Sequence, residues 1–375
     1  MSLSIGLVHP YCWPEVRRGG ERYVDELAGW LRAQGNQVDI LTGTHADSSV
    51  EVRGDGAVVR RRRHARRFRL ARFGVTDVES FGAAIWPTLV RRRYDVVHAM
   101  TPTAALAARA AGQRTVYTVL GHPTADQLGG RRFDPGVFRA AVRAAHQVTA
   151  LSRASAGQVA ALFGRPAAVL PPGVHCDRFP PDLTPRKPPA RILFSASYSD
   201  PRKGLDRAVF GLAELLGTHP DARLVLSGQG DSSWALERLG PSAPSVSEHV
   251  EDLGPGSTDE VPGRYRDATL TVLPSTGEAF GLVLVESLAA GTPVVCTRDG
   301  GMPEIVSDDG VGRTVSPGDI TDLARALVDV IALASKPGTP ERCSRHARKW
   351  DWAESVGPLH LELYQGVLRS RSRAA

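Results

Sequence analysis

The chain has 375 residues, 42% hydrophobic and 23% charged, and no long biased tract; that is a globular composition, too long for one ordinary core, so two domains are expected. Its net charge of +6 suits an enzyme that handles anionic substrates and is much weaker evidence for a nucleic-acid binder. Of its 46 basic residues only Lys187, Lys203, Lys336 and Lys349 are lysines, so a single arginine says little and a well-placed lysine says more.

From the N-terminus, MSLSIGLVHPY enters a strand pattern with neither the basic region nor the apolar core of a signal peptide, and no later run approaches 18 apolar residues. Short runs rich in Val, Ile and Leu then alternate with helical patterns, the mark of parallel sheets with crossover helices. In the first half strands are predicted at Ser4–Val8, Gln37–Leu41, Asp95–His98, Thr115–Val119, Gln147–Leu151 and Ala167–Leu170, and helices at Glu21–Gln34, Thr101–Ala111 and Arg153–Phe163. The stretch 177–190, DRFPPDLTPRKPPA, holds five prolines in fourteen residues; neither a helix interior nor a central strand accepts that, so the junction is placed there. The expected domains are residues 1–180 and 191–353. In the second, strands are predicted at Arg191–Ser195, Arg223–Ser227, Thr269–Leu273, Thr292–Cys296 and Gly312–Val315, with helices at Gly204–Gly217, Thr258–Arg266, Gly281–Ala290 and Asp319–Leu333. Two halves of one α/β rhythm suggest two Rossmann-like domains facing each other, with ligands beyond the strands' carboxyl ends.

Three motifs carry chemistry. In Arg17-Arg18-Gly19-Gly20-Glu21-Arg22 two glycines between a strand and a helix start make an anion site suited to a diphosphate, or a plain turn. Arg202-Lys203-Gly204 again follows a strand, where a lysine neutralises charge growing on a leaving diphosphate, or is simply solvated. In GEAFGLVLVE, Glu278 falls in a loop after a strand and Glu286 inside the following helix, with the helix start between them. This cluster offers N–H donors for phosphate, one carboxylate for a sugar and another for a nucleoside; singly, each acid reads as part of a solvated face. Gly228-Gln229-Gly230 lacks the third glycine of a dinucleotide fingerprint, which disfavours a nicotinamide dehydrogenase. Cys12, Cys176, Cys296 and Cys343 form no C-x-x-C pair, which argues against a disulfide framework or metal ligation and fits a reducing cytoplasm. There is no D-x-D, so the usual carboxylate bridge from a divalent metal to a nucleotide sugar is not visible.

In this order the motifs resemble glycosyltransferase family 4 over essentially the whole chain, through HPYCWPEVRRGGERYVDELAGWL, DVVHAMTP, TVYTVLGH, LPPGV with Phe179, SYSDPRKG, GEAFGLVLVESLAAGTPVV, GGMPEIV and SPGD. SYSDPRKG and KWDW are especially similar to the mannosyltransferases that glycosylate phosphatidylinositol. The resemblance implies an α/β GT-B fold, two Rossmann-like domains with parallel sheets facing across a central cleft, the first on the acceptor side and the second on the nucleotide-sugar donor side. A C-terminal helix at about 354–368 is expected to return to the first domain. The implied chemistry is metal-free, cofactor-free transfer with retained anomeric configuration, by front-face attack or through a covalent glycosyl-enzyme on Glu278. By the same resemblance Gly19 and Gly20 approach the donor diphosphate, Lys203 contacts it from the other domain, Glu278 holds the donor sugar, Glu286 binds the ribose, the amides of Ala279, Phe280, Gly281 and Leu282 cover phosphate and sugar, and His122 lies near the reacting centre. One departure stands out: relatives carry an arginine six residues before the motif lysine, and here that residue is Ser197, leaving Arg202 to compensate.

The expected donor is a GDP- or UDP-sugar; the acceptor stays open among a lipid headgroup, a polyol, a thiol and a natural-product scaffold. The run RRRRHARRFRLAR, residues 60–72, holds eight arginines, and Arg62, Arg63, Arg66 and Arg67 are the candidate contacts to an acceptor or an anionic membrane, or parts of a solvated basic loop. The expected location is the cytoplasm, with peripheral attachment at the inner membrane face for a lipid acceptor. Competing readings are a nucleotide-sugar hydrolase or epimerase on the same architecture, which needs no acceptor, and a non-catalytic sugar-nucleotide-binding protein.

Overall fold

The computed structural model describes residues 2–44, 46–52, 56–62, 77–125 and 135–369. The chain divides into two compact units, the first running from the N-terminus to Gly173 and resuming at Ser355, the second spanning Val174–Glu354. Among the described residues no helix is long and apolar enough to cross a membrane.

In unit 1 eight strands form one sheet: β1 (Ser4–Val8), β2 (Gln37–Thr44), β3 (Ser49–Val52), β4 (Ala57–Arg62), β5 (Val96–Ala99), β6 (Thr115–Val119), β7 (Gln147–Ala150) and β8 (Ala168–Val169). Their order is β3-β4-β2-β1-β5-β6-β7-β8, parallel throughout except where β3 runs antiparallel to β4. The helices are α1 (Gly19–Ala33), α2 (Asp77–Arg91), α3 (Pro102–Ala110), α4 (Pro135–Ala144), α5 (Arg153–Phe163) and, at the chain's end, α14 (Gly357–Arg369). Side chains alternate across the sheet: Val97, Ala99, Tyr117 and Val119 join Phe81, Ile85 and Leu89 of α2 and the alanines of α3 in one apolar core.

The opposite face is polar at its centre. His98 Nδ1 meets the Tyr364 hydroxyl of α14 at 2.7 Å and its Nε2 meets Thr118 at 2.5 Å. His360, also on α14, donates from Nδ1 to the Val356 carbonyl at 2.8 Å, so its Nε2 accepts from the Tyr23 hydroxyl of α1 at 2.7 Å. The C-terminal helix is thus keyed into unit 1 by buried side-chain hydrogen bonds rather than by apolar contact alone.

Burial depresses these imidazoles: His360 falls to about 4 against the pull of its Val356 bond, and His98 drops well below its ordinary 6.5, helped by its neighbour His360. His9 is also lowered to about 4 by burial and, after the opposing Tyr11 carbonyl bond, by the Arg18 charge. All three are neutral when folded but take up a proton near 6.5 once unfolded, so their stabilisation is complete above that pH and is lost as pH falls toward 4. Each imidazole then costs about 1.4 kcal/mol per pH unit. Urea unfolding is expected to show stability dropping between pH 6 and 4.5; a flat profile would contradict the buried neutral assignment.

Unit 2 holds β9 (Arg191–Phe194), β10 (Arg223–Leu226), β11 (Val250–Asp252), β12 (Leu270–Leu273), β13 (Val294–Thr297) and β14 (Gly312–Val315) in the order β11-β10-β9-β12-β13-β14, all parallel. Its helices are α6 (Leu205–Leu215), α7 (Ser233–Glu237), α8 (Ala243–Ser247), α9 (Val261–Asp267), α10 (Leu282–Ala289), α11 (Met302–Ile305), α12 (Ile320–Ala334) and α13 (Thr339–Ala347). Ile192, Phe194, Leu224, Leu226 and Val272 pack with α6 and α12 in a second core.

The change of unit falls at Gly173, ahead of the proline-rich stretch. Val174 bridges to Asp351, the Cys176 amide donates to the Asp351 carboxylate at 3.0 Å, and Arg186 donates to the Ala268 carbonyl at 3.1 Å. Residues 177–190 are therefore bound along unit 2, their prolines satisfied because an extended strap needs few amide donors. The four cysteines are buried and none is in a disulfide among the described residues.

Some elements escape a reading of the sequence. β3 (Ser49-Val50-Glu51-Val52) alternates over only four residues and is exposed at every position, so no buried face marks it. α2 carries Pro87 inside a helix whose Phe81, Ile85 and Leu89 are fully buried; the proline hides the pattern. The arginine run begins inside β4, where Arg60 is paired with Glu15 and Glu51, so its first members belong to a strand and not to a loop. Arg62 ends that strand, its side chain outside the described residues, and Arg63, Arg66 and Arg67 also lie outside them.

Candidate functional site

In each sheet the strand order reverses once, and the crevice beyond the carboxyl ends at that reversal is where open α/β sheets bind ligands. In unit 2 the reversal lies between β9 and β12. Lys203 stands in the loop after β9, and Glu278 in the loop after β12. The topology therefore explains why two motifs 75 residues apart meet: Lys203 Nζ donates to Glu278 Oε2 at 2.5 Å.

Both loops are built to hold that pair. Asp200 caps the 3-10 turn Pro201–Lys203 through the Arg202 amide, and the Arg202 carbonyl accepts from the Thr276 amide at 2.8 Å. Arg207 ties α6 to the Pro274 carbonyl at 2.5 Å. On the other side the Asp299 carboxylate holds the Gly277 amide at 2.7 Å, and the Gly301 amide holds the Glu278 carbonyl at 2.9 Å. Gly281 caps α10 with φ +108°, a region an L side chain rarely enters. Among the described residues the amides of Ala279, Phe280, Gly281 and Leu282 make no hydrogen bond. A helix start with unused amides beside a lysine is a strong anion-binding arrangement.

Glu286 is 2% exposed and accepts from the Tyr265 hydroxyl at 2.8 Å; Tyr265 in turn lies 3.1 Å from Ser195 Oγ at the end of β9. It is held at the same reversal, though deeper than its neighbours. Arg202, half exposed, forks its guanidinium onto Asp200 at 2.6 and 3.1 Å. Ser197 is exposed and, among the described residues, its hydroxyl reaches the Gln229 carbonyl alone, at 3.4 Å. Gly228 packs on that loop, its missing Cβ leaving room for the Ala196 carbonyl, so these glycines serve loop packing.

In unit 1 the reversal lies between β1 and β5. Gly19 and Gly20 open α1 just after β1; the N-cap Arg18 gives no side-chain cap and lies over the Tyr11 ring at 5.7 Å. A Cβ on Gly20 would stand 3.3 Å from Leu120 Cδ1 and 3.7 Å from His9 Nε2. Glu21 is buried in the same turn, its carboxyl raised chiefly by desolvation. His122 follows β6 and its Nδ1 lies 3.1 Å from Ser155 Oγ at the start of α5. It borders a cavity of about 150 Å³ whose wall includes Val78, Met100, Thr101, Val119 and Phe138.

The structure thus brings Lys203, Glu278 and the amides 279–282 together in unit 2, with Glu286 beneath, and places Gly19, Gly20 and His122 at strand ends of unit 1. It adds residues that motif reading passed over. His9 was legible only as a histidine directly after the first strand, Thr101 only as a helix cap, and Tyr265 and Asp299 carry no local signal.

Comparison with known proteins agrees with this picture. The family model described as Glycosyltransferase Family 4 matches residues 17–178, and that described as Glycosyl transferases group 1 matches residues 178–350. A GDP-mannose-dependent alpha-(1-6)-phosphatidylinositol monomannoside mannosyltransferase of Mycolicibacterium smegmatis is 32% identical over 292 residues, 71% of this chain and 74% of the relative. A phosphatidyl-myo-inositol mannosyltransferase of Mycobacterium leprae is 28% identical across 99% of both chains. Among solved structures, sucrose-phosphate synthase from Thermosynechococcus elongatus superposes with a TM-score of 0.81 at 20% identity, covering 98% of this chain and 99% of its own. The chain belongs to glycosyltransferase family 4, and it is a glycosyltransferase of the GT-B fold.

Proposed function

We propose that the chain is a retaining hexosyltransferase that moves a sugar from a GDP- or UDP-sugar to a hydroxyl of a lipid-linked or small-molecule acceptor without a metal ion. One observation carries this reading: the Lys203–Glu278 pair stands immediately ahead of four amides without partners among the described residues. Donors fixed in advance at such a point suit negative charge growing on a leaving diphosphate. Glu278 then positions the donor sugar and Glu286 the ribose. In unit 1 the uncapped start of α1 at Gly19 and Gly20 is a second anion site, and His122 is assigned to the acceptor side. In a front-face step the leaving diphosphate oxygen takes the acceptor's proton while the new bond forms on the face it vacates, so configuration is kept. A glycosyl group trapped on Glu278 would replace that route by double displacement.

GDP-mannose is the first donor to try, because the Mycolicibacterium relative is named for it. In a thermal-shift screen of UDP, GDP, ADP and their sugars, one base is expected to raise Tm, by about 2.7 kcal/mol of added stability at a hundredfold excess over Kd. Glu286→Gln is expected to abolish that shift. If no nucleotide shifts the wild type, the reading fails. Turnover is expected to survive EDTA; a loss restored by Mg²⁺ would overturn the metal-free part.

Ser197, where a cation was expected, favours one second reading, a protein that binds sugar nucleotides without transferring them. Binding without release of nucleoside diphosphate in any acceptor screen would select it.

A further inference from the structure

We propose that His9 is a substrate-contacting residue of unit 1, whose Nε2 accepts a hydrogen bond from a hydroxyl of the molecule held at the start of α1. The word substrate rests on the transferase reading above; the hydroxyl chemistry rests on His9 and its surroundings. His9 directly follows β1, and its amide donates to the Leu41 carbonyl at 3.1 Å. The residue is 6% exposed. A Cβ on Gly20 would stand 3.7 Å from its Nε2, so that nitrogen faces the glycine pair that opens α1.

The two ring nitrogens differ. Nδ1 lies 2.9 Å from the Tyr11 carbonyl oxygen and 3.2 Å from the Tyr11 amide nitrogen. Two lone pairs at the shorter distance would repel, so the proton lies between Nδ1 and the carbonyl. Burial keeps the ring neutral, lowered to about 4, and a neutral imidazole carries one N–H only. Nε2 is then a bare acceptor. It has no partner among the described residues, and it is not one of the side-chain atoms sealed from solvent without a partner. It therefore keeps an accessible edge.

What completes that edge follows from the helix start. The amides of Gly19 and Gly20 make no hydrogen bond among the described residues, and Arg18 gives no side-chain cap; such amides hold an anion. An anionic oxygen carries no proton for Nε2, and two acceptors side by side repel. A hydroxyl next to an anionic group satisfies both: the anion takes the amides, and the hydroxyl gives its hydrogen to Nε2. A ring of such low basicity does not remove that proton, so His9 orients the hydroxyl and leaves deprotonation to another group. Two sources have this chemistry, the donor sugar beside its diphosphate and a phosphorylated polyol as acceptor.

The test uses the full chain labelled with ¹⁵N in histidine. His9→Asn keeps a donor for the Tyr11 carbonyl and removes Nε2, and His9→Gln places an amide oxygen where Nε2 stood; the signal lost from both identifies His9. Two sets of probes are titrated: GDP and UDP against GDP-mannose and UDP-glucose, and inorganic phosphate against myo-inositol 1-phosphate. Nε2 is expected to resonate as an unprotonated nitrogen in the free protein. It should then move upfield with the sugar- or polyol-bearing member of one set and not with its counterpart. A shift with a sugar nucleotide assigns the hydroxyl to the donor, and a shift with inositol 1-phosphate assigns it to the acceptor. A proton found on Nε2, or no selective shift in either set, would overturn the proposal. In turnover His9→Asn is expected to lower kcat/KM about tenfold, the cost of one unmade hydrogen bond, and His9→Gln to recover most of it. Equal losses in the two variants would show a purely structural histidine. The nucleotide-induced Tm shift, retained in both, shows that they fold. If nucleotides shift nothing in the wild type, the transferase reading falls and the word substrate with it, whereas the phosphate set still decides what Nε2 accepts.

Discussion

Lys203→Met is expected to lower kcat by about 100- to 1000-fold, the usual cost of losing one preorganised charge-stabilising donor. Methionine keeps the length and apolar stem of lysine and removes only the cation. The Nζ–Oε2 contact of 2.5 Å joins side chains that are 24% and 18% exposed, so the pair is shielded from solvent and the ammonium acts in a reduced dielectric. Glu278 loses its cation in the variant, and a charge-assisted hydrogen bond of this kind is worth about 1.5–3 kcal/mol; a modest fall in Tm should accompany the kinetic loss. Two measurements separate the effects. Single-turnover rates at saturating donor read the chemical step, and the double variant with Glu278→Gln reads the coupling between the two side chains. If Lys203→Met kept kcat within about fivefold of wild type, well below the cost of one such donor, charge stabilisation would have to come from the amides of residues 279–282 alone.

Gly300→Ala should be the most damaging single-methyl change in unit 2. Gly300 has φ +58°, and a Cβ there would stand 1.9 Å from the Glu278 carbonyl oxygen. No rotamer relieves that clash, because the Cβ position is fixed by the residue's own backbone and the oxygen it meets is a main-chain carbonyl. The left-handed conformation adds about 1–3 kcal/mol of strain and the overlap a similar amount, so unfolding stability is expected to fall by about 2–6 kcal/mol in total. The loop would have to move away from Gly301, whose amide now holds the Glu278 carbonyl at 2.9 Å. That displaces Glu278 and the amides after it, and a shift of about 1 Å at a reacting centre costs on the order of 100-fold in rate. Gly318→Ala is the control: its φ is +81°, but nothing lies within 4 Å of its Cβ, so it isolates the strain. Equal losses in both variants would show that the Glu278 contact contributes nothing.

The two predictions concern one loop pair, and the way that pair arises marks the limit of sequence reading. Lys203 and Glu278 were both legible as candidates because each follows a strand and precedes a helix start. The same logic located Gly19, Gly20 and His122. It found nearly every core strand, since Val, Ile and Leu runs announce buried parallel strands wherever they occur. It failed for β3 and β4, an exposed edge and a strand ending in arginines, and for α2, where Pro87 interrupts the pattern that Phe81, Ile85 and Leu89 keep.

What the sequence by itself determined is the repertoire: two α/β halves, the glycine-bearing strand-to-helix turns, and the identity of the charged groups at each turn. Those are local properties, set by periodicity and by residues within one turn of one another. The tertiary structure alone decided which groups meet. Sheet order, with its reversal between β9 and β12, brings Lys203 to Glu278. An ion pair two residues apart sets Arg202 against Asp200, and Glu286, buried, accepts from the Tyr265 hydroxyl. Such outcomes depend on distances between segments far apart in the chain, and residue spacing carries no record of them.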